Sequence, residues 1–546
     1  MSDTLLDIAG LTVRFGAAAP VVHEVNLGVA RGETVVLVGE SGSGKSMTAL
    51  AIMRLLPAAA RISAGSIRLG GTELLALPEV RMRDVRGARV GFVFQEPQTA
   101  LNPVMTVGAQ IGEVLARHRG LRGRALNAKV AELLDSVGIP EPARRAREYP
   151  HQFSGGMKQR AMVAIAIAGE PELLIADEPT TALDVTLQAQ VLELFRAQQR
   201  QRHMGMLFIT HDLGVAHSVA DRVVVMKEGR IVEEGARDAF YAAPRHAYSK
   251  ALFAALPSAA KRRAEGPGPE TAETEVVLAV EDLKVHYPIR RGVFRRVVGA
   301  VKAVDGVSLE VRRGRTVALV GESGSGKTTM GRGILRLLPL TAGRVCFEGE
   351  DLARLDAAAL RRRRAHLQVV FQDPYASMNP RMLVSDIIQE GMLAQHRAMN
   401  AAGRLARVDA LLAAVGLEPG HKFRYPHEFS GGQRQRICIA RALAVDPRLL
   451  VCDEPTSALD VSVQAQILAL LRELQRERGL SYLFITHNLG VVAYLAHEVA
   501  VMYRGRIVEY GSVDRVLGAP AHDYTRELLA AVPSLPADAA AGAAAC

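Results

Sequence analysis

Val38–Ser46 reads VGESGSGKS and Val320–Thr328 reads VGESGSGKT. Both fit G-x-x-x-x-G-K-[ST], and each follows an apolar run and opens a helical stretch, the context that gives this motif its meaning. Backbone amides of such a loop wrap phosphate groups. Gly39, Gly42 and Gly44, like Gly321, Gly324 and Gly326, permit the turn and the close approach of backbone to phosphate. Ser41 and Ser43, and their counterparts Ser323 and Ser325, complete the loops. Lys45 and Lys327 are suited to neutralise terminal phosphates, and the hydroxyls of Ser46 and Thr328 to ligate Mg2+. A chance glycine-rich turn does not account for one loop occurring twice in one context.

The loop is the first of an ordered series of internal matches. FVFQEP at Phe92 recurs as VVFQDP at Val369, and YPHQFSGGMKQR at Tyr149 as YPHEFSGGQRQR at Tyr425. LLIADEPTTALDV at Leu173 recurs as LLVCDEPTSALDV at Leu449, and LFITHDLGV at Leu207 as LFITHNLGV at Leu483. The chain is therefore two copies of one domain. We expect the first to span residues 1–256 and the second 276–535, joined by a mobile linker at 257–275 that is rich in Pro, Gly, Ala and charge. The Ala-rich end, 536–546, offers little to pack and reads as a disordered tail.

Length and composition agree with two globular domains: 546 residues, 49% of them hydrophobic, supply ample core material. No apolar run is long enough to cross a bilayer, and the acidic start does not resemble a secretory signal, which implies a cytoplasmic protein. The four cysteines show neither CxxC spacing nor a disulfide pattern. A net charge of +10 suits contact with phosphates or an anionic membrane surface. The basic run LRRRRAH at Leu360 reads as a solvated helix face, and neither half interleaves aromatics as a single-strand-binding platform does.

Within each copy, ETVVLVGE, RVGFVFQ, LLIADEP and MLFITH, with their counterparts, are short, β-branched and nearly continuous, as strands buried on both faces are. Alternation with helices predicts an α/β fold with a mainly parallel sheet and phosphate chemistry at the carboxyl ends of its strands. Thr106–Pro150 and Met382–Pro426 lack such strands and read as an inserted helical subdomain. Asp177 and Asp453 close hydrophobic strands where a carboxylate would hold the magnesium hydration shell. Glu178 and Glu454 follow, placed to orient and polarise an attacking water. His211 and His487 end the FITH strands, where an imidazole would contact the terminal phosphate; alone, either is as readily structural. Gln95 and Gln372 carry neutral amides suited to ligate Mg2+ or the water. Ser154-Gly155-Gly156-Met157 and Ser430-Gly431-Gly432-Gln433 open helices as anion-binding starts without a lysine, which suits a second phosphate contact supplied in trans.

In this order and number the motifs resemble the ATP-binding cassette (ABC) ATPases over nearly the whole chain. The resemblance implies two tandem P-loop nucleotide-binding domains, each with an antiparallel β subdomain besides the sheet core and helical insert, binding ATP with Mg2+. It also implies head-to-tail closure, each ATP held by the P-loop of one cassette and the SGG segment of the other. Asp184 and Asp460 then match the D-loop, and Phe15 and Tyr287, read as ending the first strand of each copy, fit either stacking on adenine or core packing. Glu178, Glu454, His211 and His487 become the catalytic candidates.

Subfamily marks narrow the resemblance. FQEPQTALNPVMTVGAQI at Phe94, FQDPYASMNPRM at Phe371 and the basic insert PIRRGVFRRVVGAV at Pro288 are similar to ATPases of dipeptide, oligopeptide and nickel importers. So are the copy ends PRHAYSKALFAALPS at Pro244 and PAHDYTRELLAAVPS at Pro520, although Ala247 and Asp523 stand where that group has proline. The fused layout resembles glutathione and peptide importers. Implied partners are two transmembrane permease subunits and, indirectly, an extracytoplasmic solute-binding protein, with the chain peripheral on the cytoplasmic face of the inner membrane and no nucleic acid bound. The competing reading is a soluble two-cassette ATPase acting on ribosomes or nucleic acid; the long charged linker, zinc cysteines and coiled coils that mark such proteins are not visible.

Overall fold

The computed structural model describes residues 4–181, 183–264, 275–291, 294, 296–395, 399–457 and 459–533. The proposed tail at 536–546 and the greater part of the proposed linker fall outside the described residues. The chain divides into two compact units, one built mainly from residues 1–254 and the other from 255–532.

In the first unit, β1 (Thr4–Phe15), β2 (Pro20–Ala30), β4 (Ala60–Leu69) and β5 (Thr72–Glu73) form an antiparallel sheet in the order β2-β1-β4-β5. A second sheet contains β3 (Thr34–Val38), β6 (Val90–Val93), β7 (Leu173–Asp177), β8 (Gly205–Thr210), β9 (Arg222–Lys227) and β10 (Arg230–Ala236), ordered β10-β9-β3-β8-β7-β6. Its first five chain neighbours run parallel and β10 pairs antiparallel to β9. Every residue of β3, β7 and β8 is buried, which is why these segments lack a polar alternation.

The second unit repeats this plan. Its antiparallel sheet is β12-β11-β14-β15, from β11 (Val276–Arg291), β12 (Arg296–Arg312), β14 (Ala342–Phe347) and β15 (Glu350–Asp351). Its mixed sheet is β16-β17-β18-β13-β19-β20, from β13 (Thr316–Val320), β16 (Leu367–Val370), β17 (Leu449–Asp453), β18 (Ser481–Ile485), β19 (Glu498–Tyr503) and β20 (Arg506–Ser512). In each unit one core lies between the two sheets: Leu6, Ile8, Leu37, Ile52, Ile175 and Ile209 in the first, Leu278, Val280, Leu319, Ile334, Val451 and Ile485 in the second. Burying each such side chain stabilises by roughly 2 kcal/mol.

Both expected helical inserts are present, as Val107–Arg119 with Gly123–Ser136 and as Val384–Gln395 with Ala401–Ala414. Thr106 caps the first through a hydrogen bond from the Ala109 amide. In the second unit, Ile387, Ile388, Leu411 and Leu412 bury against Ile437 and Ile439 of the helix Gly431–Leu443.

Two local expectations are corrected. Phe15 does end β1, but Tyr287 lies inside β11, because the basic insert prolongs the β11/β12 pairing as far as Arg291 opposite Arg296. The run at Leu360 is only partly solvated: Arg361 and Arg362 are exposed, whereas Arg364 donates to the carbonyl oxygens of Leu335 and Arg336 and Arg363 pairs with Glu350. Ala259–Ala264, inside the proposed linker, is helical. Among the described residues no helix is long and apolar enough to cross a membrane.

Candidate functional site

The P-loop of each unit links the central strand of its mixed sheet to a helix, Lys45–Ile52 after β3 and Lys327–Ile334 after β13. Glycine is required immediately before the lysine. Gly44 has φ 101°, and a Cβ there would meet the Val21 carbonyl oxygen at 2.7 Å; Gly326, at φ 109°, would meet that of Ala303 at 2.1 Å. The loop's backbone amides and the helix N-terminus make a preorganised anion site.

Lys45 is 4% exposed, and its Nζ donates to the carbonyl oxygens of Gly39 (2.7 Å) and Glu40 (2.8 Å). Lys327 repeats this with Gly321 (2.7 Å) and Glu322 (2.8 Å). Burial pulls the Lys327 ammonium below its ordinary range, against the attraction of Glu454. Ser46 Oγ donates to Asp177 Oδ1 at 3.0 Å, and Thr328 Oγ1 to Asp453 Oδ1 at 3.0 Å. Burial pushes the Asp177 carboxyl up to about 6, with the neighbouring Glu178 charge adding to it against the Ser46 hydrogen bond. Asp453 shifts the same way for the same leading reason. A divalent cation would relieve that cost. Hydroxyl, carboxylate and amide oxygens are hard donors, few enough to leave positions for phosphate and water, so Ser46, Asp177 and Gln95, and Thr328, Asp453 and Gln372, fit Mg2+.

The residue after each aspartate is held in an unusual backbone conformation, with φ 45° at Glu178 and 47° at Glu454. Around it the structure gathers the expected residues. Glu178 accepts hydrogen bonds from Gln95 Nε2 (3.0 Å) and Thr181 Oγ1 (3.0 Å), and its Oε1 lies 3.2 Å from His211 Nδ1. Glu454 accepts from Gln372 Nε2 (3.1 Å) and lies 3.3 Å from His487 Nδ1. Burial raises the Glu178 carboxyl, but the hydrogen bond and charge of His211, with the Thr181 hydrogen bond and the Lys45 charge, together outweigh it and hold the group below its usual range. Glu454 is likewise held low by His487. Each unit thus presents an ionised carboxylate between an amide and an imidazole, beside a more basic carboxylate able to take a metal ion. That arrangement can orient a water against a bound terminal phosphate.

The SGG segments lie at helix starts, as expected. Ser154 Oγ accepts the Met157 amide at 3.3 Å, capping Gly155–Ile167. Ser430 Oγ accepts the Gln433 amide at 3.4 Å, and Gln433 Oε1 accepts the Ser430 amide at 3.1 Å. The second unit therefore closes a reciprocal capping box that Met157 cannot form. Phe15 is half-buried and Tyr287 is 42% exposed, which leaves the Tyr287 ring available to a ligand.

Three contacts at the site, two of them equivalent, are not legible in the sequence. Thr181 could have been noticed as a hydroxyl three residues beyond Glu178, where a turn returns it to the carboxylate. Tyr248 and Tyr524 each place Oη on a P-loop amide, that of Glu40 (3.2 Å) and Glu322 (3.0 Å). They lie in the copy-end motif, about 200 residues from the loops, and only its repetition signalled them.

The chain matches the family model described as "ABC transporter" at residues 22–181 and 304–457, and the model "Oligopeptide/dipeptide transporter, C-terminal region" at 232–277 and 508–544. It is 49% identical to "Peptidoglycan transport ATP-binding protein YejF" of Agrobacterium fabrum, over 97% of this chain and 96% of the relative. It is 48% identical to "Uncharacterized ABC transporter ATP-binding protein YejF" of Escherichia coli K12, over 97% and 100%. To "Glutathione import ATP-binding protein GsiA" of Salmonella typhi it is 46% identical, over 97% of this chain and 90% of the relative.

Proposed function

Since the chain belongs to the ABC transporter family and is an ATP-hydrolysing importer subunit with two cassettes, we propose that it drives uptake of short peptides across the cytoplasmic membrane. Hydrolysis would take place at two composite sites. One joins Lys45, Ser46, Gln95, Asp177, Glu178 and His211 to Ser430–Gln433. The other joins Lys327, Thr328, Gln372, Asp453, Glu454 and His487 to Ser154–Met157. We propose domain limits of 1–256 and 276–535 for the two cassettes.

The observation that carries the catalytic part is the twice-built cluster of glutamate, glutamine and histidine beside an aspartate bonded to the P-loop hydroxyl. On ATP binding, Lys45 and Lys327 exchange loop carbonyls for phosphate oxygens. The Ser46 and Thr328 hydroxyls and the two aspartates would hold Mg2+, whose chemistry when bound would be to neutralise charge on the phosphate oxygens. Gln95 and Gln372 fix the glutamate carboxylates. Glu178 and Glu454 then orient a water in line with the γ-phosphorus and accept its proton as the P–O bond forms and ADP leaves. His211 and His487, each on the far side of its glutamate from the amide donor, hold carboxylate and phosphate in register. Phe15 and Tyr287 stack on adenine.

The transport part rests on relatives whose names specify peptidoglycan transport and glutathione import, and on the oligopeptide/dipeptide C-terminal match. Peptide-bearing solutes, among them dipeptides, oligopeptides and glutathione, are the cargo class we propose. The partners are then membrane permeases, two in number, fed by an extracytoplasmic binding protein, with the chain peripheral on the inner membrane. Co-expression with peptide-importer permeases of its own organism, followed by membrane isolation and ATPase assay, tests this. Co-purification with those permeases and stimulation by a peptide-loaded binding protein are expected. Co-purification with ribosomes and never with membranes would overturn it.

A further inference from the structure

The copy-end motif, P-x-H-x-Y-[ST], is as regularly built as the phosphate loops, and the mechanism above gives it no task. In the first unit, Glu233 on β10 accepts the amides of Arg245 (2.7 Å) and His246 (3.0 Å). His246 Nδ1 then accepts the Tyr248 amide (3.1 Å) at the start of the helix Ala247–Ala255. In the second unit, Glu509 on β20 accepts the amides of Ala521 (2.8 Å) and His522 (3.1 Å), and His522 Nδ1 the amide of Tyr524 (3.1 Å). The glutamate folds the chain, the histidine caps the helix, and the next turn aims the tyrosine. Its ring is held from the side by a residue ending the neighbouring strand: Lys227 Nζ lies 5.2 Å from the Tyr248 centroid, and Tyr503 packs 4.2 Å from Tyr524.

Each hydroxyl accepts the amide of the second P-loop residue, Glu40 or Glu322. The carbonyl of that same residue holds the P-loop lysine. Glu40 and Glu322 are therefore gripped at both ends, by tyrosine at the amide and by lysine at the carbonyl. When the lysine leaves for a phosphate, the tyrosine bond remains to keep the loop open and its other amides turned inward.

We propose that Tyr248 and Tyr524 are positioning residues for ATP, fixing the P-loop in its phosphate-binding shape from the C-terminal segment of each cassette. This rests on the reading of both loops as ATP sites. The hydroxyl touches no reacting atom, so its loss weakens phosphate binding and leaves the hydrolytic cluster intact.

The experiment uses the full chain with Tyr248→Phe, Tyr524→Phe and both together, which keep the packed rings and remove only the hydroxyls. MgATP titration, steady-state kinetics, competition by inorganic triphosphate and thermal melting are measured on each. One neutral hydrogen bond is worth about fivefold in binding. The double variant is expected to raise KM for ATP and the inhibition constant for triphosphate by about fivefold, with kcat within about twofold and the melting temperature within about 3 °C. Unchanged KM and triphosphate inhibition would overturn the proposal, as would a KM rise matched by a large melting loss or an equal fall in kcat. Lys45→Ala with Lys327→Ala serves as the separate control: if that variant bound ATP like wild type, the ATP-site reading itself would fail.

Discussion

Replacing Glu178 and Glu454 together by glutamine alters the proposed water-activating group and little else. The amide is nearly isosteric with the carboxylate, and its oxygen can still accept from Gln95 or Thr181, now 3.0 Å from Glu178. What disappears is the charge facing His211 and His487 and the capacity to take a proton from water. Positioned general bases contribute about 10²–10⁴ in rate, a barrier increase of roughly 3–5 kcal/mol. The carbonyl oxygens of Gly39, Glu40, Gly321 and Glu322, which hold the P-loop lysines, are left in place by the substitution. ATP affinity is therefore expected within a few-fold of wild type, while single-turnover phosphate release falls at least about 100-fold and nucleotide-bound protein accumulates. The assay pairs a MgATP binding titration with phosphate release on the full chain. Hydrolysis at near wild-type rate would refute the assignment of these glutamates, and loss of binding together with hydrolysis would refute the separation of the two roles.

If the two cassettes pair head to tail as proposed, Lys45→Ala and Ser430→Arg are lesions of one site, so their combination should cost little more ATPase activity than either alone, whereas Lys45→Ala with Ser154→Arg should damage both sites. Redundancy of the second pair in that double-mutant cycle would instead mean self-contained sites or pairing with another chain. Met157→Gln should complete in the first unit the capping box that Ser430 and Gln433 form in the second, adding roughly 0.5–1 kcal/mol, seen as a higher calorimetric melting temperature; a lower one would show that Met157 serves packing instead. Burial, then the charges of Arg262, Arg315 and Arg472, pull His497 down to about 4, and its Nδ1 accepts the Thr316 amide. The unfolded chain, with histidine near 6.5, binds more protons than the folded one between those values, so this stability is whole above pH 6.5 and is lost toward pH 4, up to about 3 kcal/mol. His497→Asn should flatten the acid limb of the melting profile; an unchanged acid limb would remove His497 as its source.

The architecture was legible wherever a residue's task is local. A buried parallel strand must be apolar throughout, so β3, β7, β8 and their repeats announce themselves. The phosphate loops need glycine at fixed places, and repetition removed the ambiguity of each short motif. What escaped notice depends on distant partners. The bond from the Glu40 amide to Tyr248 spans 208 residues, and nothing in a tyrosine's local sequence names a backbone amide as its partner. The helix Ala259–Ala264, inside the proposed linker, carries almost no apolar surface. It is held by other means: Arg262 donates to the Ala496 carbonyl at 2.6 Å, and Lys261 Nζ lies 5.8 Å from the Tyr494 ring. Hydrophobic periodicity is blind to such contacts. Tyr287 was misplaced at a strand end because the insert after it, rich in arginine and valine, does not show from pattern alone whether it loops out or continues the ladder, as it does.

Peptide import by this chain, as proposed, must stop when its ATP hydrolysis stops. The decisive measurement rebuilds the chain with peptide-importer permeases of its own organism in proteoliposomes and follows uptake of a labelled short peptide delivered by their binding protein. ATP-dependent uptake is expected, together with ATPase stimulation by the peptide-loaded binding protein, and both should vanish in the Glu178→Gln, Glu454→Gln chain. Uptake that persists in that variant, or an ATPase indifferent to permeases and loaded binding protein, would rule out ATP-driven peptide import by this chain.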